Sequence, residues 1–264
     1  MSAQSPLKGF PKPWQLEHRF STAEIPTVSF VIPAYNEEAV LGRTLVAIQD
    51  SIQSFSGRVE IIVVDDASTD STASIAAKHG ARVISVIHRQ IASTRNAGAI
   101  EARGDVIVFV DADTIVNEAV VFAAINAIRK GAVGGGCTVR FSGRLPFYGH
   151  VVAAIGIPLY RLSGLAAGCF LFCTREAFAA AGGFDERLFA AEEVAMSRAL
   201  RNQGRFVILR ETVMTSGRKL RAHSGREVLN MVIRVIIKGP EALRQRKGLD
   251  IWYGKRRVDP DTEA

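Results

Sequence analysis

Apolar residues along this chain come in short runs, each ending in a polar turn followed by apolar positions three and four apart. Thr27–Pro33 reads as a strand stopped by proline; Leu41, Leu45 and Ile48 then repeat at helical spacing, with Asn36 as the expected N-cap. The unit recurs at once. Val59–Val64 is a near-continuous strand, Asp65–Asp70 a polar turn and Ser71–His79 a helix. Arg82–Ile87 and Ile91–Arg103 form a third pair, Val106–Val110 and Asn117–Lys130 a fourth. Strands alternating with helices imply an α/β fold with a parallel sheet covered on both faces. Its ligand site then lies beyond the C-terminal strand ends, where all the polar turns fall.

The second half departs from this alternation. Gly134-Gly-Gly136 loosens the chain before an expected strand, Cys137–Phe141, and Leu145–Leu162 is apolar and helical in parts. A strand at Gly168–Cys173, a helix at Thr174–Ala181, a turn at Gly182–Glu186, a helix at Ala190–Gln203 and a last strand at Arg205–Leu209 follow. Glu227–Lys238 is amphipathic, and from Arg244 onward the chain is charged and is expected to fray.

Composition narrows the picture. A chain of 264 residues with 48% hydrophobic content buries a large core in one domain. Cys137, Cys169 and Cys173 are an odd set in apolar surroundings with no second cluster to complete a zinc site, so buried thiols of a reducing compartment are expected. Residues 1–20 lack the apolar core of a targeting segment. Val151–Ile157 and Leu165–Cys173, interrupted by Pro158 and Arg161, fall far short of the roughly 20 residues of a spanning helix. A cytoplasmic location, peripheral at the inner membrane face, is the expectation.

The net charge of +7 is uneven. Residues 201–264 hold 15 Lys and Arg against 7 Asp and Glu, while residues 1–200 hold 18 against 19. The basic excess sits in the tail, without the aromatic interleaving or reading motif of a nucleic-acid binder. Attraction to anionic lipid headgroups is the functional reading of that region.

Chemistry concentrates where the fourth strand ends. Asp111 and Asp113 stand two apart beyond Val106–Val110, placed to hold a divalent cation or to cap the next helix. Around them Ser29-Phe-Val-Ile-Pro-Ala-Tyr-Asn-Glu-Glu38, Val63-Val-Asp-Asp-Ala-Ser-Thr-Asp70, Arg95-Asn-Ala-Gly98, Phe109-Val-Asp-Ala-Asp113, Gly182-Gly-Phe-Asp-Glu186 and Glu192-Glu193 occur in order. This series resembles the family-two glycosyltransferases with the GT-A fold, over residues 27–220.

The resemblance implies a single GT-A domain at 27–224, Rossmann-like and mostly parallel with a mixed acceptor-side half. Residues 1–26 form a leader and 225–264 an amphipathic helix and basic tail. It further implies transfer of a sugar from a nucleotide-sugar, a UDP-sugar foremost, to the hydroxyl of a glycan, lipid-linked or small-molecule acceptor, with inversion. Pro33, Ala34, Tyr35, Glu37, Asp65, Arg95, Asp111 and Ala112 match its donor-binding positions, Asp65 reading the base edge while Asp66 caps the turn. Asp113 matches the ligand of Mn²⁺ or Mg²⁺, with Asp111 as partner. His223 would complete the metal shell, and Arg218, Lys219 and Arg221 would meet the diphosphate. Glu193 stands where the family places its general base, with Glu192 beside it as the other candidate. The family pair is usually Glu-Asp followed by a further acid, and here it is Glu192-Glu193-Val194-Ala195.

Two other readings stay open. Phosphohydrolases of the haloacid dehalogenase type also carry Asp-x-Asp after an apolar strand. They place it on the first strand with Thr or Val two residues further on, whereas here it follows the fourth and Ile115 fills that place. A degenerate transferase fold serving as a binding scaffold is supported by the altered acidic pair. The apolar block Phe147–Phe172, together with Val228, Leu229, Val232, Ile233 and Ile236, suits a lipid-linked acceptor or a membrane-surface partner.

Overall fold

The computed structural model describes residues 25–254 together with Arg257 and Asp259. The expected leader therefore lies, but for its last two residues, outside the described residues, as does most of the tail beyond 254.

The first half follows the alternation closely. The elements are β1 (Val28–Ala34), α1 (Leu41–Ser51), β2 (Val59–Asp66), α2 (Thr72–Lys78), β3 (Arg82–Val86), α3 (Ile91–Glu101), β4 (Val106–Val110), β5 (Thr114–Ile115) and α4 (Glu118–Arg129). Then come β6 (Gly134–Ser142), α5 (Phe147–Ser163), β7 (Phe170–Thr174), α6 (Arg175–Ala181), α7 (Glu192–Arg201) and β8 (Phe206–Ser216). The short α8 (Arg218–Ala222), α9 (Gly225–Lys238), a 3₁₀ turn (Gly239–Arg244) and α10 (Asp250–Tyr253) close the chain. One sheet runs in the order β3-β2-β1-β4-β7-β6-β8-β5.

β1, β2, β3 and β4 are mutually parallel; β7 enters antiparallel between β4 and β6, and β6 pairs parallel with β8. β4 is buried along its whole length because helices cover both faces of the sheet. On one face Phe30, Ile32, Leu41, Leu45 and Ile48 pack together; on the other Val31, Phe109, Phe178 and Phe184 do. Cys137, Cys169 and Cys173 are buried free thiols, as expected.

Three expectations are corrected. Asn36 is not the N-cap of α1, since that helix starts after Val40; Asn36 instead adopts φ 51° and its Oδ1 accepts from the Thr69 amide at 2.8 Å. Gly134–Gly136 do not loosen the chain but lie inside β6. A Cβ on Gly135 would stand 2.2 Å from the Val207 carbonyl, and one on Gly136 2.5 Å from Ala166, so only glycine lets these strands close. The last strand does not stop at Leu209. It continues through a bulge opposite Gly136–Thr138 to Ser216, and that extension brings Thr215 and Ser216 against Asp113.

α3 lies on β1 and β2 at the one place where a side chain is missing. A Cβ on Gly98 would meet Val31 Cγ1 at 2.4 Å and Val64 Cγ2 at 2.7 Å. Gly98→Ala is expected to lower stability by about 1–3 kcal/mol through overpacking, measured by urea denaturation. An unchanged midpoint would show that the helix can step back freely.

Candidate active site

The parallel strands β1, β2 and β4 end at one edge, and the loops that follow them are hydrogen-bonded to each other. The Asn36 amide donates to Ser68 Oγ at 3.0 Å, Glu37 N to Thr72 Oγ1 at 2.8 Å and Ser71 N to Glu38 Oε2 at 3.0 Å. The polar run Asp65–Asp70 therefore braces the loop after β1 rather than only turning the chain. Among the described residues, the non-glycine positions with φ between 50° and 60° are Asn36, Ala67, Arg89 and Ala191. All four lie in loops around this edge, where strain is held by the surrounding hydrogen bonds.

Two cavities open there. The smaller, about 90 Å³, is lined by Pro33, Ala34, Tyr35, Glu37, Asp66 and Ala112, with Arg246, Trp252 and Tyr253 on its far wall. The larger, about 430 Å³, is mostly apolar, with Val139, Ile157, Tyr160, Leu165 and Ile208 in its wall and Arg95, Glu192 and Glu193 at its polar end. Asp111, Asp113, Lys219 and Trp252 line both. The pair of aspartates is thus the junction between a small pocket beyond β1 and a larger apolar one.

Arg95 organises the polar end. Its guanidinium is 3% exposed and bonds Asp111 Oδ1 at 2.8 Å, Glu192 Oε1 at 2.7 Å and the Gly168 carbonyl at 2.8 Å. Burial alone would lower its pKa, but Asp111 and Glu192 outweigh that and raise it. Nε finds no acceptor among the described residues, and the group packs 5.3 Å from the centre of the Phe184 ring. Asn96 holds the neighbouring turn, its amide donating to the Phe184 carbonyl and accepting from the Phe184 amide at 2.9 Å each. Arg95 is committed to carboxylates of the protein itself.

Arg218 makes a second clamp, from α8. It bonds both oxygens of Glu37 and reaches Asp113 Oδ2 at 3.2 Å. Burial opposes its charge, and Glu37 and Asp113 raise its pKa above the ordinary value. Asp113 also lies 3.4 Å from the Thr215 hydroxyl. Arg221 is taken up by Asp259 at 2.6 and 2.7 Å and by the Ser142 carbonyl at 2.9 Å, away from the junction.

Glu192 and Glu193 share the first turn of α7 but differ in company. Glu192 is held by Arg95, whereas Glu193 accepts from the Tyr160 hydroxyl at 3.2 Å and sits deep in the larger cavity. Burial, and then the neighbouring Glu192, push the Glu193 carboxyl up to about 7, while Tyr160 is raised in turn by burial and by Glu193. A carboxyl poised near neutrality beside a cleft is the kind of group that exchanges protons at working pH.

The structure changes one half of a pair of expectations. Asp66, not Asp65, lines the smaller cavity, and it also caps the turn before α3, accepting from the amides of His88 (2.7 Å), Arg89 (2.8 Å) and Gln90 (3.2 Å) and from the Thr94 hydroxyl (2.8 Å). Asp65 is buried beside it and accepts from the Ser68 amide at 3.3 Å. Tyr35 does face the cavity, with the Arg89 guanidinium stacked 3.5 Å from its ring centre. His223 is not brought to Asp113. It lines a third cavity with Arg257 and Asp259, is lowered in pKa by burial and Arg257, and stands 3.9 Å from Glu227.

The described residues from 245 to 254 do not fray but pack over the site. Tyr253 stacks edge-on against Phe189 at 5.6 Å, and Trp252 reaches both cavities. The Ile-Trp-Tyr run inside a charged tail was the available signal. Tyr160 carried none, being one aromatic in an apolar block.

The donor set suits a hard divalent cation. Asp111 and Asp113 offer carboxylate oxygens, and Arg218 shows that Asp113 takes a cationic partner. Among the described residues no cluster of three or more metal-ligating side chains exists, so a cation here would draw its remaining ligands from substrate oxygens or water.

The family model for Glycosyl transferase family 2 matches residues 29–172. The chain belongs to glycosyl transferase family 2. Its match to the probable glycosyltransferase YdaM of Bacillus subtilis is 35% identical over 58% of this chain and 36% of that protein. An undecaprenyl-phosphate 4-deoxy-4-formamido-L-arabinose transferase of Shewanella sediminis is 37% identical over 33% of this chain and 28% of that one. The chain thus spans about a third of the length of these family-two relatives. Among solved structures, the mannosyltransferase PcManGT of Pyrobaculum calidifontis, in complex with GDP-Man and Mn²⁺, superposes with TM-score 0.63 at 18% identity. That match covers 92% of this chain and 69% of that one and shows the shared GT-A fold.

Two outcomes follow for this family-two site. Arg95→Met leaves Glu192 and Asp111 without their cation and is expected to cost about 3–5 kcal/mol in chemical denaturation. A loss under 1 kcal/mol would mean that the two acids do not depend on Arg95. For Glu193, a folded pKa of about 7 against an ordinary 4.5 means the native state binds the extra proton. Its contribution is fully present below pH 4.5 and lost as pH rises through 7. Glu193→Gln is therefore expected to raise the melting temperature relative to wild type at pH 8, with the gap closing by pH 4.5. A gap independent of pH would place the Glu193 pKa in the ordinary range.

Proposed function

We propose that this chain is an inverting, metal-dependent glycosyltransferase that moves a sugar from a UDP-sugar to a hydroxyl-bearing, lipid-linked acceptor at a membrane surface. The observation that carries the proposal is the meeting of the two cavities at Asp111 and Asp113, with Glu193 on the apolar side of the junction. The smaller cavity takes the nucleotide. Tyr35 offers a ring to the base, Asp66 an acidic edge, and Trp252 and Tyr253 close the far side.

The sugar then lies at the junction, with its anomeric carbon facing the larger cavity. Glu193 takes the proton of the acceptor hydroxyl as its oxygen attacks that carbon. The bond to the nucleoside diphosphate breaks on the opposite side, which inverts the configuration. Glu192 cannot serve as readily, because its carboxylate is already shared with Arg95. Lys219, which lines both cavities, faces the diphosphate. Mn²⁺ or Mg²⁺ held by Asp113 and Asp111 would neutralise charge on the leaving diphosphate. Arg218 must leave Asp113 for this to happen, and His223, which lines another cavity, is left out of the ligand set. GDP-Man in the archaeal mannosyltransferase supports a nucleotide-sugar donor as a class, and the undecaprenyl-phosphate relative supports an acceptor carried on a lipid.

A sugar-nucleotide panel with Mn²⁺ tests this by thermal shift and by release of nucleoside diphosphate. A UDP-sugar is expected to raise the melting temperature and to be turned over only with metal. Asp113→Ala should abolish the metal-dependent shift. Glu193→Gln should keep the shift and lose at least about a hundredfold in turnover, while wild-type kcat/KM drops about tenfold per pH unit below about 7. Transfer by Glu193→Gln at the parental rate would remove Glu193 as the base. Release of inorganic phosphate would point to a phosphohydrolase, and absence of both shift and release to a scaffold.

A further inference from the structure

α5 is apolar on two opposite sides, with His150 and Arg161 exposed on the flank between them, and only one apolar side is covered. Ala153, Gly156, Ile157 and Tyr160 line the larger cavity. At 100° per residue the opposite side, roughly 180° away, carries Phe147, Val151, Ile155, Leu159 and Leu162. Their exposures are 85%, 43%, 58%, 61% and 84%, a stripe about 22 Å long at 1.5 Å per residue. A helix with two apolar sides belongs in an apolar surrounding on both of them. α9 repeats the arrangement with Leu229, Val232, Ile233 and Ile237 exposed along one face. The two helices start side by side: the Tyr148 hydroxyl donates to the His223 carbonyl at 2.6 Å, and a Cβ on Gly225 would lie 3.2 Å from the Tyr148 ring.

Charge identifies what covers this face. Residues 119–175 contain no Asp or Glu and hold six Lys and Arg, namely Arg129, Lys130, Arg140, Arg144, Arg161 and Arg175. Arg140 and Arg144 are exposed just before α5 and Arg161 in its last turn, so cations flank the stripe at both ends. A second copy of the chain docked through the same stripe would set these cations against each other. An anionic lipid surface would instead meet them with headgroup phosphates while taking the stripe into the acyl boundary, as interfacial helices do. No described helix is long and apolar enough to cross a membrane, which leaves lying in the interface plane as the way for α5 to engage lipid.

We infer that the outer face of α5, continued by α9, is a docking surface for an anionic bilayer. Membrane contact is thereby assigned to one exposed helix face in the middle of the chain, where the sequence pointed to the whole apolar block and the basic tail. It deepens the membrane-acceptor reading proposed above. With α5 in the headgroup plane, its inner side forms the wall between the bilayer and the cavity of Glu193, and Arg161 stands at the cavity wall to meet an incoming phosphate.

Co-sedimentation with phosphatidylglycerol-containing vesicles tests the surface without any sugar chemistry. The full chain is expected to bind these vesicles and to bind pure phosphatidylcholine at least about tenfold more weakly. Ile155→Glu combined with Leu159→Glu should lose at least about tenfold in vesicle binding. It should keep its melting temperature and the Mn²⁺–nucleotide thermal shift, because neither residue lines a cavity. In Leu159→Trp, tryptophan emission should move to shorter wavelength on adding the anionic vesicles. Three results would each overturn the inference: no vesicle binding by the wild type, undiminished binding by the double variant, or a solution dimer that the double variant splits. Vesicle binding without transferase activity would leave the docking surface standing and remove the proposed reaction.

Discussion

The buried guanidinium of Arg95 is the constraint on which the site depends. It enters from α3, behind the sheet edge, and joins Asp111 after β4, Glu192 at the start of α7 and the Gly168 carbonyl before β7. These segments come from distant parts of the chain, and each would otherwise bring an uncompensated charge or dipole into the interior. By binding Glu192 the same group leaves Glu193 without a bonded cation, and burial then lifts that carboxyl toward neutrality. One guanidinium, through two ion pairs, thus sets both the position of the junction and the protonation of the residue beside it.

A second cation works differently. Arg218 sits on a short helix after the longest strand and binds Glu37 and Asp113. Arg95 is enclosed by core elements, whereas Arg218 is carried by a short helix with no buried residues, outside the sheet. Between them the two arginines neutralise Asp111, Glu192, Glu37 and Asp113, so the acids around the junction do not stand as an unpaired cluster.

The apolar half of the molecule follows the same economy of surfaces. α5 separates the larger cavity from solvent with a single layer of side chains, and both its sides are hydrophobic. The helix therefore gains from burial on its inner side and keeps an outward stripe bounded by arginines and free of acids. A wall of this kind fits an enzyme whose acceptor is delivered from the surface it rests on.

The first half of the fold was legible because it depends on local rules. Fully buried parallel strands read as unbroken apolar runs, and amphipathic helices as three-and-four spacing, so β1 to β4 and their helices fall where the pattern puts them, within a residue or two except at the start of α1. The acids at the strand ends were legible for the same reason: chain order and the sheet-edge rule bring the ends of β1, β2 and β4 together. Gly134–Gly136 misled, because glycine signals both a loose loop and a tightly packed strand, and only the neighbouring Val207 carbonyl and Ala166 decide between them. That Asp66 rather than Asp65 reaches the cavity has a related cause. Adjacent residues at a strand end point to opposite faces, and the pattern of apolar residues in a strand buried on both sides does not reveal which face opens to the cavity. The sequence by itself determined the order of elements, the family and the stock of acids. Which arginine holds which acid, the place of Trp252 and Tyr253 over the pocket, and the bare outer side of α5 were decided by tertiary structure alone. Each depends on contacts between residues tens to more than a hundred positions apart, and no local spacing encodes them.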